Sequence, residues 1–267
     1  MSRPEVTLPT SQSPTITNME RAGSQAPSLD SRFITRAAWW HGATFAVGAF
    51  GVVTQLWIVA TQTVTEDMIQ LSDPIRLWNV LSYFTIWSNI LVTVVAYLLA
   101  RNPQRDGPVF NTLRLASVVM ITITCLIYAL VLAKVWEPTG WQKIADETLH
   151  YSVPFLAVAG YLLFGPRPRF SLNTLLRSLV IPLAWIVYTL IRSPFITYDE
   201  DGETRHWYPY HFINVDDIGY GQALLNIVGI FLLLLVVGWL YVLIDRRLPS
   251  RPAAASRGVP ERSPVES

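Results

Sequence analysis

The chain of 267 residues carries a hydroxyl and an imidazole, Thr85 and His150, each set inside a long apolar run. A hydroxyl beside a neutral imidazole is a nucleophile with its base, the imidazole taking the hydroxyl proton during attack on an acyl carbon. Asp146 precedes His150 by four residues and so shares its helical face, where it can hold one ring nitrogen and orient the other. Ser82, Thr85 and Asn89 follow an i, i+3, i+7 spacing, which predicts one polar face on a helix turned toward a bundle interior. Asn89, Ser88 and Tyr151 are candidate donors to a developing oxyanion. A structural reading stands beside the chemical one. Polar side chains at membrane depth also bond backbone carbonyls and link helices, and acids in a first turn favour a helix N-terminus. His206, His211 and Asp216 form a second polar cluster, which with His150 offers a zinc-type donor set, although no tight spacing such as HExxH accompanies it. No metal or cofactor is expected.

Six apolar runs must position these residues: 40–60, 79–100, 115–135, 149–164, 175–191 and 220–244. Most reach the roughly 17–25 residues that cross ~30 Å of hydrocarbon at 1.5 Å per residue. Charged residues are 15% of the chain and lie almost entirely between the runs. The runs are too long for strands and do not alternate with period two. The expected class is therefore all-α, a polytopic membrane bundle of six transmembrane helices over 36–248, flanked by polar tails 1–35 and 249–267. The tails, rich in Ser, Pro and Thr, lack the apolar content to offset ordering entropy and are expected to be disordered. No apolar leader segment precedes the first run, so no cleaved signal peptide is expected.

Basic residues fall on alternate sides. Arg32 and Arg36, Arg101 to Arg114, Arg167 to Arg177, and Arg246 to Arg251 share one side. The other side holds few cations and the acids Glu66, Asp67, Asp73 and Asp199 to Asp201. Lys and Arg prefer the cytoplasmic face, which places both termini inside and makes a multi-pass protein of the cell membrane the expected location. On that topology Thr85 and His150 enter from the outer side at similar depth. Trp39, Trp40, Trp78, Trp136, Trp141 and Trp207 sit near run ends, as in an interfacial aromatic belt. Trp87, inside a run, is expected to pack on a neighbouring helix or line a pocket. Gly48 and Gly51 are expected to let helices approach closely. Trp207, Tyr208 and Tyr210 are expected to form a lid over the bundle mouth, with Tyr188, Arg192 and Asn226 around it. A net charge of +1 and a single cysteine, Cys125, exclude a nucleic-acid footprint and a disulfide framework.

SYFTIWSNIL (82–91), LHYSVPFL (149–156), the stretch 188–192 and WYPYHF (207–212) occur in an order that resembles the bacterial six-span "Pr-six-Pr" membrane proteins. More distantly, the chain resembles the androgen-induced and androgen-dependent membrane threonine hydrolases, which cleave fatty acid esters of hydroxy fatty acids. Tyr83-Phe-Thr85 matches their nucleophile motif, His150 to Pro154 their histidine motif, and Trp207 to Tyr210 their outer loop, with Tyr210 in place of Phe. The acidic segment 198–204 departs from that pattern. The resemblance implies a membrane ester hydrolase with Thr85 as nucleophile and His150 as base, acting on lipid. The alternatives are a lipid-binding or small-molecule-transporting bundle and a structural membrane component; no internal repeat supports transport. Membrane lipids are the expected partners.

Overall fold

The computed structural model describes residues 31–61, 73–134, 136–200 and 202–248. The tail expectations for 1–30 and 249–267, and the acids Glu66 and Asp67, lie outside the described residues. The fold is built from helices α1 (Ser31–Thr61), α2 (Asp73–Val80), α3 (Phe84–Arg101), α4 (Pro108–Leu130), α5 (Gly140–Glu147), α6 (Val153–Phe164), α7 (Leu172–Ser178), α8 (Val180–Arg192) and α9 (Val215–Arg247). Five helical stretches are long and apolar enough to cross a membrane: Ser31–Thr61, Phe84–Arg101, Pro108–Lys134, Leu172–Phe195 and Val215–Arg247. The expected fourth run is helical as well, but it is not among these five. It is continuous with α5 through a π turn, Thr148–Ser152, and Asp146, Glu147 and His150 dilute its hydropathy. Polar side chains placed there for another purpose weaken the same signal that reads as a span.

The outer surface suits lipid. Phe155, Leu225, Val180 and Ile191 stand exposed on the sides of their helices, a distribution that a water-soluble surface does not sustain. Among the described residues the all-helical class has one small exception, a hairpin of β1 (Thr197–Glu200) and β2 (Glu203–His206), in which Thr197 pairs with His206. The acidic segment 198–204 forms the body of that hairpin.

Helix α4 is the central pillar, packing on α3, α6, α7 and α9. Leu115, Val119, Met120 and Ile123 from α4 meet Trp185 and Ile186 of α8 and Leu234, Val237 and Tyr241 of α9 in one apolar cluster. Pro108 opens α4 at its first turn, where its missing N–H is no loss. Ser171 caps α7 by accepting from the Thr174 N–H, completed by the reciprocal bond from the Ser171 N–H. In α9, Gly219 takes φ +72° and kinks the helix one turn after its start, a conformation that a side chain would strain.

Three expectations are corrected. The polar tail does not extend to residue 35, since α1 begins at Ser31. The second run is not one helix from residue 79. It breaks at Leu81–Ser82, with Tyr83 extended at φ −77°, ψ 129° as the N-cap of α3. Ser82 therefore does not share a helix face with Thr85 and Asn89. Trp207 is buried within the loop between β2 and α9 rather than resting at an interface, while Trp39, Trp78 and Trp141 are exposed. Trp40 donates its indole N–H to the Leu156 carbonyl across to α6.

Gly48 and Gly51 lie at close approaches. A Cβ on Gly51 would stand 2.9 Å from both Leu149 and Thr148, and one on Gly48 would stand 2.3 Å from the Thr93 hydroxyl. Gly51→Leu is expected to destabilise the protein by about 1–3 kcal/mol, because the π turn carrying His150 cannot retreat into the buried Leu149 layer. Denaturant unfolding in detergent, compared with Gly42→Leu where a Cβ meets nothing within 4 Å, measures this.

Candidate active site

Helix α3 begins where the backbone leaves the turn at Tyr83, so Thr85 sits in its first turn. The break is held from outside the segment. Trp185 of α8 donates to the Ser82 carbonyl at 2.9 Å, Arg192 donates to the Ser82 hydroxyl at 3.0 Å and to the Asn79 side-chain oxygen, and Trp87 donates to the Leu81 carbonyl at 2.6 Å. The Tyr188 and Ser82 hydroxyls are 3.4 Å apart. Tyr188 and Arg192 thus gather at the broken turn, and Trp87 bridges it while its ring lies 6.1 Å from that of Tyr188.

His150 lies in the π turn, where the Val153 N–H reaches the Thr148 carbonyl five residues back. π turns of this kind occur often at functional sites. Pro154 explains what happens to the backbone there. In π register its partner is the Leu149 carbonyl, but proline has no N–H to give. Asn89 supplies the missing donor: its amide donates to the Leu149 carbonyl at 3.1 Å and to the Thr85 carbonyl at 2.8 Å. One fully buried side chain therefore ties the backbone of Thr85 to that of Leu149, the residue before His150.

The side chains converge. Thr85 Oγ1 is 3.2 Å from His150 Nε2. His150 Nδ1 is 3.1 Å from Asp146 Oδ1 and 3.0 Å from the Asp146 carbonyl oxygen. Both neighbours of Nδ1 are acceptors, so Nδ1 carries the hydrogen and Nε2 offers its lone pair to the threonine hydroxyl. Asp146 is buried, and its other oxygen accepts from the Tyr128 hydroxyl. The Tyr128 ring stacks on the imidazole at 3.8 Å and 10°, fixing the plane of the histidine. The order Thr85, His150, Asp146, Tyr128 is an unbroken chain of donors and acceptors.

A narrow cleft opens onto this chain, lined by Thr85, Thr124, His150 and Tyr128 and walled by Phe84, Ile123, Ile127, Leu132, Phe212 and Ile230. The walls are almost wholly apolar, and the polar groups converge at one point. The loop between β2 and α9 closes over it. Tyr83 meets Trp207 and Tyr210 edge to face at 5.9 and 5.7 Å, and Tyr210 stacks on Phe212 at 5.0 Å. Asn226 pins the loop from α9 by donating to the Phe212 carbonyl at 2.8 Å. Tyr210 lines the cleft beside Phe84 and Thr85, and the Thr85 side chain and the backbone of Phe84 and Thr85 at the start of α3 partly offset the effect of burial on its phenol. Burial pushes the phenol up to about 12, so at neutral pH Tyr210 is an uncharged donor and acceptor.

Comparison with protein-family models, with curated proteins and with solved structures finds no match. The functional reading therefore rests on the site itself.

Several sequence candidates have other roles. Both amide hydrogens of Asn89 are committed to carbonyls, and Ser88 donates to the Thr85 carbonyl at 2.9 Å beside Thr124. Neither is free to serve an oxyanion. Tyr151 is exposed and packs on the edge of Tyr128. The zinc-type set does not assemble: His206 Nδ1 pairs with Asp216 at 2.9 Å, His211 projects outward, and His150 is engaged with Asp146. Among the described residues, no three His, Cys, Asp or Glu side chains come close enough to hold a metal ion. Tyr128 and the contacts of Tyr210 with Thr85 were missed. A tyrosine at the end of an apolar run carries the same signature as an interfacial anchor, so only its position one span away from His150 distinguishes it.

Asn89→Leu is expected to leave the Leu149 carbonyl buried without a donor and to cost about 1–3 kcal/mol. It should also loosen His150 against Thr85. Unfolding in detergent measures the first effect and the yield of covalent Thr85 adduct the second; an unchanged adduct yield with lowered stability would confine Asn89 to a packing role.

Proposed function

We propose that this chain is a membrane-embedded hydrolase of acyl esters carried on lipid, with Thr85 as nucleophile, His150 as general base and Asp146 as the orienting carboxylate. The observation that carries the reading is the 3.2 Å contact of the threonine hydroxyl with an imidazole nitrogen whose partner nitrogen is held by a buried carboxylate. Thr85 Oγ1 attacks the ester carbonyl carbon as its proton passes to His150 Nε2, giving a tetrahedral oxyanion and an imidazolium beside Asp146. Collapse expels the alcohol, which takes the proton from His150 and leaves an acyl-threonine. Water then attacks that ester, His150 again accepting the proton, and the carboxylic acid departs with Thr85 restored. The N–H groups of Phe84 and Thr85 belong to the first turn of α3, where they have no intrahelical acceptor; they lie next to the nucleophile and are the donors suited to the oxyanion.

Apolar walls at the cleft favour an acyl chain that stays in the membrane. In the same reading the helical stretch from Gly140 to Phe164 is a sixth span, both termini face the cytoplasm, and the site opens in the outer half of the cell membrane; the arginine distribution supports that orientation. The more distant resemblance to the membrane threonine hydrolases points to the same pair of residues.

Treatment of the purified protein in detergent with a fluorophosphonate probe tests the reading. The expected product is a covalent adduct on Thr85 that is lost in Thr85→Ala and in His150→Ala. Labelling that persists in both variants, or none in folded wild-type protein, would overturn it.

A further inference from the structure

The far end of α4 holds a second polar cavity. Arg114 is 2% exposed, and both terminal nitrogens of its guanidinium lack a hydrogen-bond partner. Fourteen residues of α4 separate it from Tyr128, or about 21 Å of helix rise, so it belongs to the opposite end of the bundle from Thr85. Arg114 lines a gap between α1, α3, α4 and α6 together with His41, Thr44, Ser117 and Tyr161. Arg167, also buried, leaves Nε and one terminal nitrogen unpartnered, donating only to the Leu162 carbonyl. The two guanidiniums lie 5.7 and 5.5 Å from the centre of the Tyr161 ring.

Charge balance does not close here. The nearby carboxylate, Asp245, accepts from the Tyr161 hydroxyl at 3.2 Å and from the backbone N–H groups of Arg169 and Phe170, and pairs with neither arginine. Two cations face one anion that is already spent. Arginine cannot shed its proton to relieve this, and a buried unpaired charge is among the costliest groups a fold can hold. The hydroxyls of Thr44 and Ser117 donate to carbonyls of their own helices, so the donors left for a ligand are the Arg114 nitrogens and the His41 ring. Gly165 keeps the space open, since a Cβ there would stand 2.7 Å from an Arg114 nitrogen. Val92, Val95, Ala96 and Leu99 form an apolar wall on one side.

We infer that this cavity is a binding site for an oxyanion of the phosphate class, held by the planar fork of Arg114 with Arg167 adding positive potential. Such a group reaches the site either on the head of an anionic lipid, whose chains would follow the apolar wall, or as free phosphate. The inference does not depend on the chemistry at Thr85.

The test uses full-length, delipidated protein in detergent, with melting temperature read against phosphatidylglycerol, phosphatidylcholine and inorganic phosphate. The expected result is a rise of about 5 °C or more with phosphatidylglycerol and not with phosphatidylcholine, lost in Arg114→Gln and kept in Arg247→Gln, a change at an exposed arginine. An equal rise with inorganic phosphate alone assigns the site to the free anion and supports the same chemistry. No rise with either phosphate source in the wild type, or an equal rise in Arg114→Gln, overturns the inference. Should Arg114→Gln not accumulate in folded form, the wild-type series and Arg167→Gln decide the question in the same way.

Discussion

Thr85→Ala and His150→Ala are each expected to lower ester turnover by about 10³-fold or more while leaving the melting temperature within a few degrees of wild type. In the proposed mechanism the two residues act on one proton. Without the imidazole the hydroxyl remains protonated at neutral pH, and without the hydroxyl the imidazole has no nucleophile to activate. The effects should therefore not add, and the double variant is expected to be no worse than the worse single variant. Thr85→Ser should retain a substantial part of the activity, because it keeps the oxygen that lies 3.2 Å from His150. Turnover of a p-nitrophenyl acyl ester by the four variants gives the comparison. Additive losses in the double variant would show that the residues act separately, and the paired mechanism would fall.

Asp245→Leu is expected to destabilise the protein by about 3–5 kcal/mol. Asp245 is 1% exposed and stands near the end of α9, where it receives the Tyr161 hydroxyl and two backbone N–H groups from the loop that joins α6 to α7. Leucine at this position strands two backbone donors and removes the negative charge nearest to Arg114 and Arg167. Asp245→Asn keeps an acceptor oxygen and loses the charge, so its effect should be smaller. Unfolding by titration with sodium dodecyl sulfate, monitored by tryptophan fluorescence, measures both. A loss below ~1 kcal/mol for Asp245→Leu would mean that the loop is held by other contacts.

The fold and the site were legible in the sequence to different depths, for physical reasons. Apolar runs long enough to span a membrane are a property of composition and survive any packing, so the helices could be located without knowing their neighbours. The Asp146–His150 contact is local, being set by helical spacing, and for that reason it too was readable. The break at Leu81–Ser82 was not. No glycine or proline marks it, and the turn is held by Trp185 and Arg192 from more than a hundred residues away. Arg114 and Arg167 read as cytoplasmic surface charges because the charge pattern records which end of a helix a residue occupies, not whether it faces inward. The donation of Asn89 to the Leu149 carbonyl was unreadable for a related reason: Pro154 announces that a backbone acceptor loses its partner, but not which distant side chain replaces it.

The π turn at Thr148–Ser152 has a consequence for how this segment tolerates changes in length. A π turn holds one residue more than the α-helical path it interrupts. Deleting that one residue would let the helix close into uniform α geometry with its two flanks still in phase, whereas the same deletion in a plain α-helix would turn one flank by about 100° relative to the other. The loss would be local, falling on the turn that carries His150 toward Thr85 and the Leu149 carbonyl toward Asn89. The extra residue is therefore a local insert, which points an imidazole at Thr85 while the helix on either side of it keeps its packing.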